Sequence, residues 1–162
     1  MQDIQWSTDM PWVFKTEPAE CSIDDIGAAG TEGVIWEGVR NYQARNFLRD
    51  EVVLGDLVLI HHSSCAQIGV VGIAKVIETA FADPSQFQQQ SPYYDPKATA
   101  EKFAWYAVKV SLVEKFPRVL SLAELRECPG LAEMLLVKKG NRLSVMPVTK
   151  NQFDLVLFLT KT

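Results

Sequence analysis

Between Trp36 and Asp50 the chain gathers an indole, a phenol, two asparagines, a glutamine and three arginines. Flat rings with amides beside them suit a planar heterocycle, which stacks on a ring and offers donors and acceptors along its edge. Guanidinium groups close by suit phosphates. Tyr93, Tyr94 and Trp105, far along the chain, belong to the same chemical set as Trp36, Asn41 and Tyr42. Most aromatic side chains are core, so at least two of these six are expected to be structural.

The other reactive groups offer less. His61, His62 and Cys65 invite a metal, but neighbours on a strand point to opposite faces, and no second Cys/His pair completes a set of four. No metal and no cofactor is expected. Cys65 and His62 form no convincing nucleophile pair, since nothing marks an orienting partner or an oxyanion hole. His62 and Ser63 read equally well as the polar rim of a pocket or as a plain strand end. Gly69-Val70-Val71-Gly72 lacks the third glycine and the helix of a dinucleotide fingerprint, and there is no P-loop. Glu17 and Asp95 could pair as acid and base, although a strand-end role for Glu17 is the simpler reading.

These groups need elements to hold them. Trp12 to Thr16 is a strand candidate ended by Glu17-Pro18. Ser22 caps a short helix with acids in its first turn. Gly33 to Trp36 is a brief strand. Ala44, Phe47 and Leu48 fall at i, i+3 and i+4, a buried helical stripe that leaves Tyr42, Arg45 and Arg49 on the opposite face. Gly55-Asp56 is a turn. Leu57 to His62 is a strand apolar on both faces, and Ile68 to Thr79 is its antiparallel neighbour, whose Gly69 and Gly72 indicate a bend, a bulge or a close backbone approach. Asp83 to Ala100 is irregular, stiffened by Pro92 and Pro96 around Tyr93 and Tyr94. Phe103 to Phe116 is a long strand that Pro117 ends. Ser121 and Glu124 form a capping box for a helix reaching about Cys128. Leu131 to Val137 is helix or strand. Leu143 to Val148 is extended, and Thr149 with Gln152 caps a last helix.

At 162 residues, 48% hydrophobic and 22% charged, the chain suits one globular domain, α+β, a small mixed barrel with peripheral helices. The net charge of −4 argues against a protein that coats any duplex through its phosphates, since such proteins are basic. Three widely spaced cysteines make no disulfide framework. No apolar run approaches the roughly 18 residues of a membrane span, and no secretory leader is apparent, so the expected compartment is cytoplasmic.

In order and spacing, Lys15-Thr16-Glu17-Pro18, Trp36-Glu37-Gly38-Val39-Arg40-Asn41-Tyr42-Gln43-Ala44-Arg45-Asn46, Gly55-Asp56, His62-Ser63, Val71-Gly72, Ser91-Pro92-Tyr93-Tyr94-Asp95-Pro96, Val113-Glu114-Lys115-Phe116 and Leu143-Ser144-Val145-Met146-Pro147-Val148 resemble the EVE domain family. The match spans Pro11 to about Leu159, which divides the chain into a tail over 1–10 and one domain over 11–160. The resemblance implies a PUA-like pseudobarrel and a pocket for a modified base, such as methylated or hydroxymethylated cytosine. It is similar to YTH domains, which hold methylated adenine in an aromatic cage. By position, Trp36 is implied as a wall, Lys15-Thr16-Glu17 as edge reader, and the Tyr93-Tyr94 loop as opposite wall or lid. The expected base pocket is Lys15, Thr16, Glu17, Trp36, Asn41, Tyr42, His62, Ser63, Tyr93, Tyr94 and Asp95, with Arg40, Arg45 and Arg49 on the backbone. The expected partner is single- or double-stranded nucleic acid carrying a modified base. The alternatives are a nucleobase-like small molecule or catalysis on such a base. The chain departs from eukaryotic members in lacking a long basic N-terminal tail, and in placing His61 beside His62 where an aromatic is common.

Overall fold

The computed structural model describes residues 10–161. Apart from Met10, the expected tail over 1–10 lies outside them. Six strands form one sheet: β1 (Trp12–Thr16), β2 (Val34–Trp36), β3 (Leu57–His62), β4 (Gly69–Ala82), β5 (Tyr106–Ser121) and β6 (Val145–Pro147). Their spatial order is β2-β5-β4-β3-β1-β6. β1 and β3 run parallel, with Trp12 opposite Val58 and Thr16 opposite His62. All other neighbours are antiparallel.

The sheet curls into a half-barrel. Its curvature has a local cause in the two long strands, whose register shifts repeatedly between Val70 and Phe81. Each bulge adds twist and bends its strand. Gly72 shows the close approach expected of a strand glycine, because a Cβ there would stand 2.4 Å from the Glu114 carbonyl oxygen. Pro117 does not end β5, contrary to expectation. It lies between the paired positions Lys115 and Leu120, where register with β4 shifts, and a proline is tolerated where the ladder has no use for its missing N–H.

Four helices flank the sheet: α1 (Ile23–Ala28), α2 (Tyr42–Asn46), α3 (Leu122–Glu127) and α4 (Lys150–Leu159). Ser22 and Asp25, and again Thr149 and Gln152, close reciprocal capping boxes. At α3 only half a box forms. Ser121 accepts from the Glu124 amide, while the Glu124 carboxylate is held by Arg118 at 2.8 and 2.9 Å. α2 passes into a wider π turn, Phe47–Glu51, so the buried stripe of Ala44 and Leu48 is kept although the helix is not uniform. The Leu131 to Val137 stretch is neither α-helix nor strand. It contributes to two 3-10 turns, Pro129–Leu131 and Leu135–Val137.

Each face of the sheet carries a core. Trp12, Phe14, Val58 and Ile60 pack with Trp36, Ala44 and Leu48. Val13, Leu57 and Leu59 pack with Leu125, Leu131, Phe153 and Val156. Strict alternation along β1 and β3 thus feeds two cores at once. The Trp12 indole also donates to buried Asp56 at 2.9 Å, which pins the Gly55-Asp56 turn beneath the sheet. Among the described residues no helix is long and apolar enough to cross a membrane.

Candidate functional site

β1 and β2 both finish at one cavity of about 680 Å³. Lys15, Thr16 and Glu17 come from the end of β1, Trp36 to Val39 from the end of β2, and Ser63 from the end of β3. Tyr93, from the irregular loop, lines the same cavity. The Pro18 turn brings the chain back, where the Thr16 hydroxyl donates to the Cys21 carbonyl at 2.9 Å. Cys21 and Glu20 therefore join the lining.

Trp36 belongs partly to the core. It is buried and packs on Phe14 with ring centroids 5.3 Å apart. Tyr93 is fixed at three points. Its hydroxyl donates to Glu20 at 2.5 Å. Its carbonyl accepts from Arg40 Nη2 at 2.6 Å. Its ring lies on Gly38, where φ is +86° and a Cβ would meet the ring at 2.7 Å. The bond to Glu20, then burial and the Glu20 and Glu17 charges, push the Tyr93 phenol up to about 12.

Arg40 is the joint between the Trp36–Val39 segment and this loop. Its Nη1 pairs with the fully buried Asp83 at 2.9 Å, and its Nη2 also reaches Ser85 Oγ at 3.2 Å. Asp83 accepts from the Gly38 amide at 2.8 Å as well. Burial would raise the Asp83 carboxyl, but the bonds from Arg40, Ser85 and Gly38 hold it below the usual range. Burial and then the Asp83 charge push Glu37 up, opposed by Arg40. Burial and then the Arg126 charge lower Lys15.

Of the side chains expected at the site, Lys15, Thr16, Glu17, Trp36, Ser63 and Tyr93 meet in the cavity. Others stand elsewhere. Asn41 is the N-cap of α2, its Oδ1 accepting from the Ala44 amide at 2.9 Å. Tyr42 lies outside, 60% exposed, stacked on Trp105 at 4.9 Å. His62 accepts from the Ile23 amide at 3.1 Å and faces a neighbouring groove with Lys115 and Phe116. Tyr94 is absent from the lining. Asp95 accepts from the Trp105 indole at 3.0 Å and the Lys97 amide at 2.9 Å, which anchors the loop. On the outer face of α2, Arg45 donates to the Ala104 carbonyl and lies over the Tyr42 ring. Arg49 pairs with Asp50 at 2.8 Å. Sequence reasoning missed Glu20, Glu37, Gly38 and Ser85. Glu37 and Gly38 follow Trp36 directly, a signal that was legible, whereas Glu20 and Ser85 gain their places only through distant contacts.

Mixed six-stranded curling, helices on the flanks and a cavity at the strand ends define a PUA-like domain. Within that class the chain belongs to the EVE domain family, whose profile matches residues 11–159. It is 35% identical to human thymocyte nuclear protein 1 over 164 residues, 91% of this chain and 72% of that protein. A crystal structure from Pseudomonas putida is 48% identical with a TM-score of 0.88, covering 92% of this chain and 98% of that one. The human thymocyte nuclear protein 1 structure in complex with DNA containing 5-methylcytosine also superposes at 0.88, with 35% identity and coverage of 94% and 98%.

Proposed function

We propose that this protein reads nucleic acid by holding one modified base, of the methylated or hydroxymethylated cytosine kind, in the cavity between Trp36 and Tyr93. The observation that supports the reading is the cavity itself, whose lining includes Trp36 and Tyr93, in a fold whose human relative was solved with 5-methylcytosine DNA. A volume of about 680 Å³ is within the usual range of small-ligand sites. Lys15, Thr16 and Glu17 supply polar atoms at its edge. Arg45, on the outer face of the next helix, and Arg49, in the π turn that follows it, are the proposed phosphate contacts. Arg40 acts from inside by positioning Tyr93. With a net charge of −4, generic phosphate attraction is weak, and the base carries much of the discrimination.

The test is a panel of short single- and double-stranded oligonucleotides, each with one modified base, titrated against wild type and Trp36→Ala. Stacking of a base on an aromatic side chain is worth roughly 1–3 kcal/mol, so the variant loses roughly 5- to 150-fold in affinity for the modified oligonucleotide and less for the plain one. Affinity is referred to the folded fraction, because Trp36 also packs on Phe14. Equal loss for both oligonucleotides removes Trp36 from the base site.

A further inference from the structure

The neutral polar lining of this cavity, which includes Ser63, Gln88, Ser91 and Ser144, can donate or accept, so the sign of the site is set by its charged groups. Its charged lining is Glu17, Glu20 and Glu37 against Lys15 alone. The Arg40 guanidinium is turned to Asp83, Ser85 and the carbonyls of Val39 and Tyr93. The Tyr93 hydroxyl directs its proton to Glu20. Among the charged groups, what the cavity offers a ligand is mainly acceptors.

The three carboxylates are not equivalent. Glu20 is engaged by Tyr93, and Glu17 stands on the exposed rim. Glu37 is half-buried, follows the Trp36 wall directly, and accepts no hydrogen bond among the described residues. A carboxylate withdrawn from water without a donor is costly. Its raised pKa, from burial and then the Asp83 charge, is the same cost seen in another way. A ligand that brings an N–H to Glu37 relieves it.

We propose that Glu37 reads the edge of the bound base and selects bases with an exocyclic amino group, cytosine or adenine, over their keto counterparts. This rests on the base-pocket reading above and adds a specificity residue to it. An ionised carboxyl accepts from the N4 amino group of cytosine, and the N6 amino group of adenine has the same chemistry. The O4 of thymine or uracil sets lone pairs against lone pairs. In those bases the edge N–H, at N3, is flanked by carbonyls on both sides, whereas the N4 amino group of cytosine also has an N–H turned away from the ring acceptors.

5-Methylcytosine and thymine make the comparison clean. They share ring and C5 methyl and differ at the edge in question. Single-stranded oligonucleotides with one central 5-methylcytosine, thymine, adenine or hypoxanthine are titrated against wild type, Glu37→Gln and Trp36→Ala. Wild type is expected to prefer 5-methylcytosine to thymine by about tenfold or more, the discrimination one good edge contact supplies. Glu37→Gln should lower that ratio to about threefold or less, because a carboxamide can turn and present either N–H or C=O. The adenine and hypoxanthine arms tell which amino base the cavity admits. If Glu37→Gln lowers stability, Glu37→Asp serves instead. It keeps the charge one methylene further back and should weaken amino-base binding without reversing the preference. A 5-methylcytosine to thymine ratio unchanged in Glu37→Gln overturns the assignment of Glu37 while Trp36→Ala still upholds the pocket. If Trp36→Ala leaves every oligonucleotide unaffected, the base-pocket reading has failed, and the Glu37 proposal with it.

Discussion

His61 gives the sharpest stability test. It is 2% exposed, and neither ring nitrogen has a hydrogen-bond partner among the described residues. Alternation along β3 puts it on the side of Leu57 and Leu59, and the parallel register sets it opposite Lys15. Burial, then the Lys15 and His62 charges, push its pKa from the ordinary 6.5 down to about 4. The unfolded chain therefore takes the proton first. Stability held by keeping His61 neutral is whole above pH 6.5 and is lost as pH falls toward 4. The gap is worth about 3 kcal/mol, a large share of the roughly 5–15 kcal/mol that holds a domain folded. His61→Leu removes the titrating group and both unpartnered nitrogens at similar volume. At pH 7.5 the variant should match wild type or exceed it by about 1–2 kcal/mol. At pH 4.5 its advantage should widen by about 2–3 kcal/mol. Urea unfolding followed by tryptophan fluorescence at several pH values measures this, and Trp12, Trp36 and Trp105 are all buried reporters. Taking the difference between the two proteins cancels the carboxylates and His62. Parallel pH profiles would refute the linkage. A loss above about 2 kcal/mol at pH 7.5 would show that the His61 nitrogens are satisfied in solution.

Two further outcomes bear on the site. Gly38→Ala introduces a Cβ at φ +86° and 2.7 Å from the Tyr93 ring. It should cost about 1–2 kcal/mol of stability and a larger share of oligonucleotide affinity, and undiminished binding would exclude Tyr93 as a wall. Arg45→Ala should weaken modified and plain oligonucleotides alike and reduce the salt slope by about one. An unchanged slope removes Arg45 from phosphate contact.

Local chemistry was readable in the sequence and long-range pairing was not. Ser22, Thr149 and the run from Leu57 to His62 announce caps and strand by residue type alone, and the structure has them where expected. Asn41 was also readable in a way that its amide chemistry obscured. The stripe of Ala44 and Leu48 implies a helix starting just after it, and asparagine is among the best N-caps, which is the role it has. Pro117 misled because its effect depends on the partner strand, and a register shift in β4 cannot be seen from β5 alone. Arg40 looked like an outward cation. Its partner, Asp83, lies in a loop more than forty residues away, and nothing in either local sequence pairs them. Lys15, Thr16, Trp36 and Tyr93 were placed together by family resemblance, since periodicity says nothing of how β1, β2 and the Tyr93 loop converge.

That convergence bears on how the cavity should respond to change. Glu20 to Tyr93, Arg40 to Asp83 and Gly38 to Tyr93 are cross-links between segments distant in sequence, and each fixes the same two walls. Tyr93 cannot swing without breaking the bond to Glu20 or the contact with Gly38, and Arg40 cannot leave without stranding the buried Asp83 charge. The walls are thus set before any ligand arrives, which lowers the ordering cost of binding. It also makes the wall residues non-additive, since removing one loosens the others. For the proposed reader, selectivity then resides in the few groups that are not cross-linked, Glu37 foremost. Arg45 on α2 and Arg49 in the π turn after it are already engaged by Asn46, the Ala104 carbonyl and Asp50, so in that proposal they add only modest affinity. Under the proposed function, a protein built this way is expected to discriminate between bases more strongly than it grips the strand that carries them.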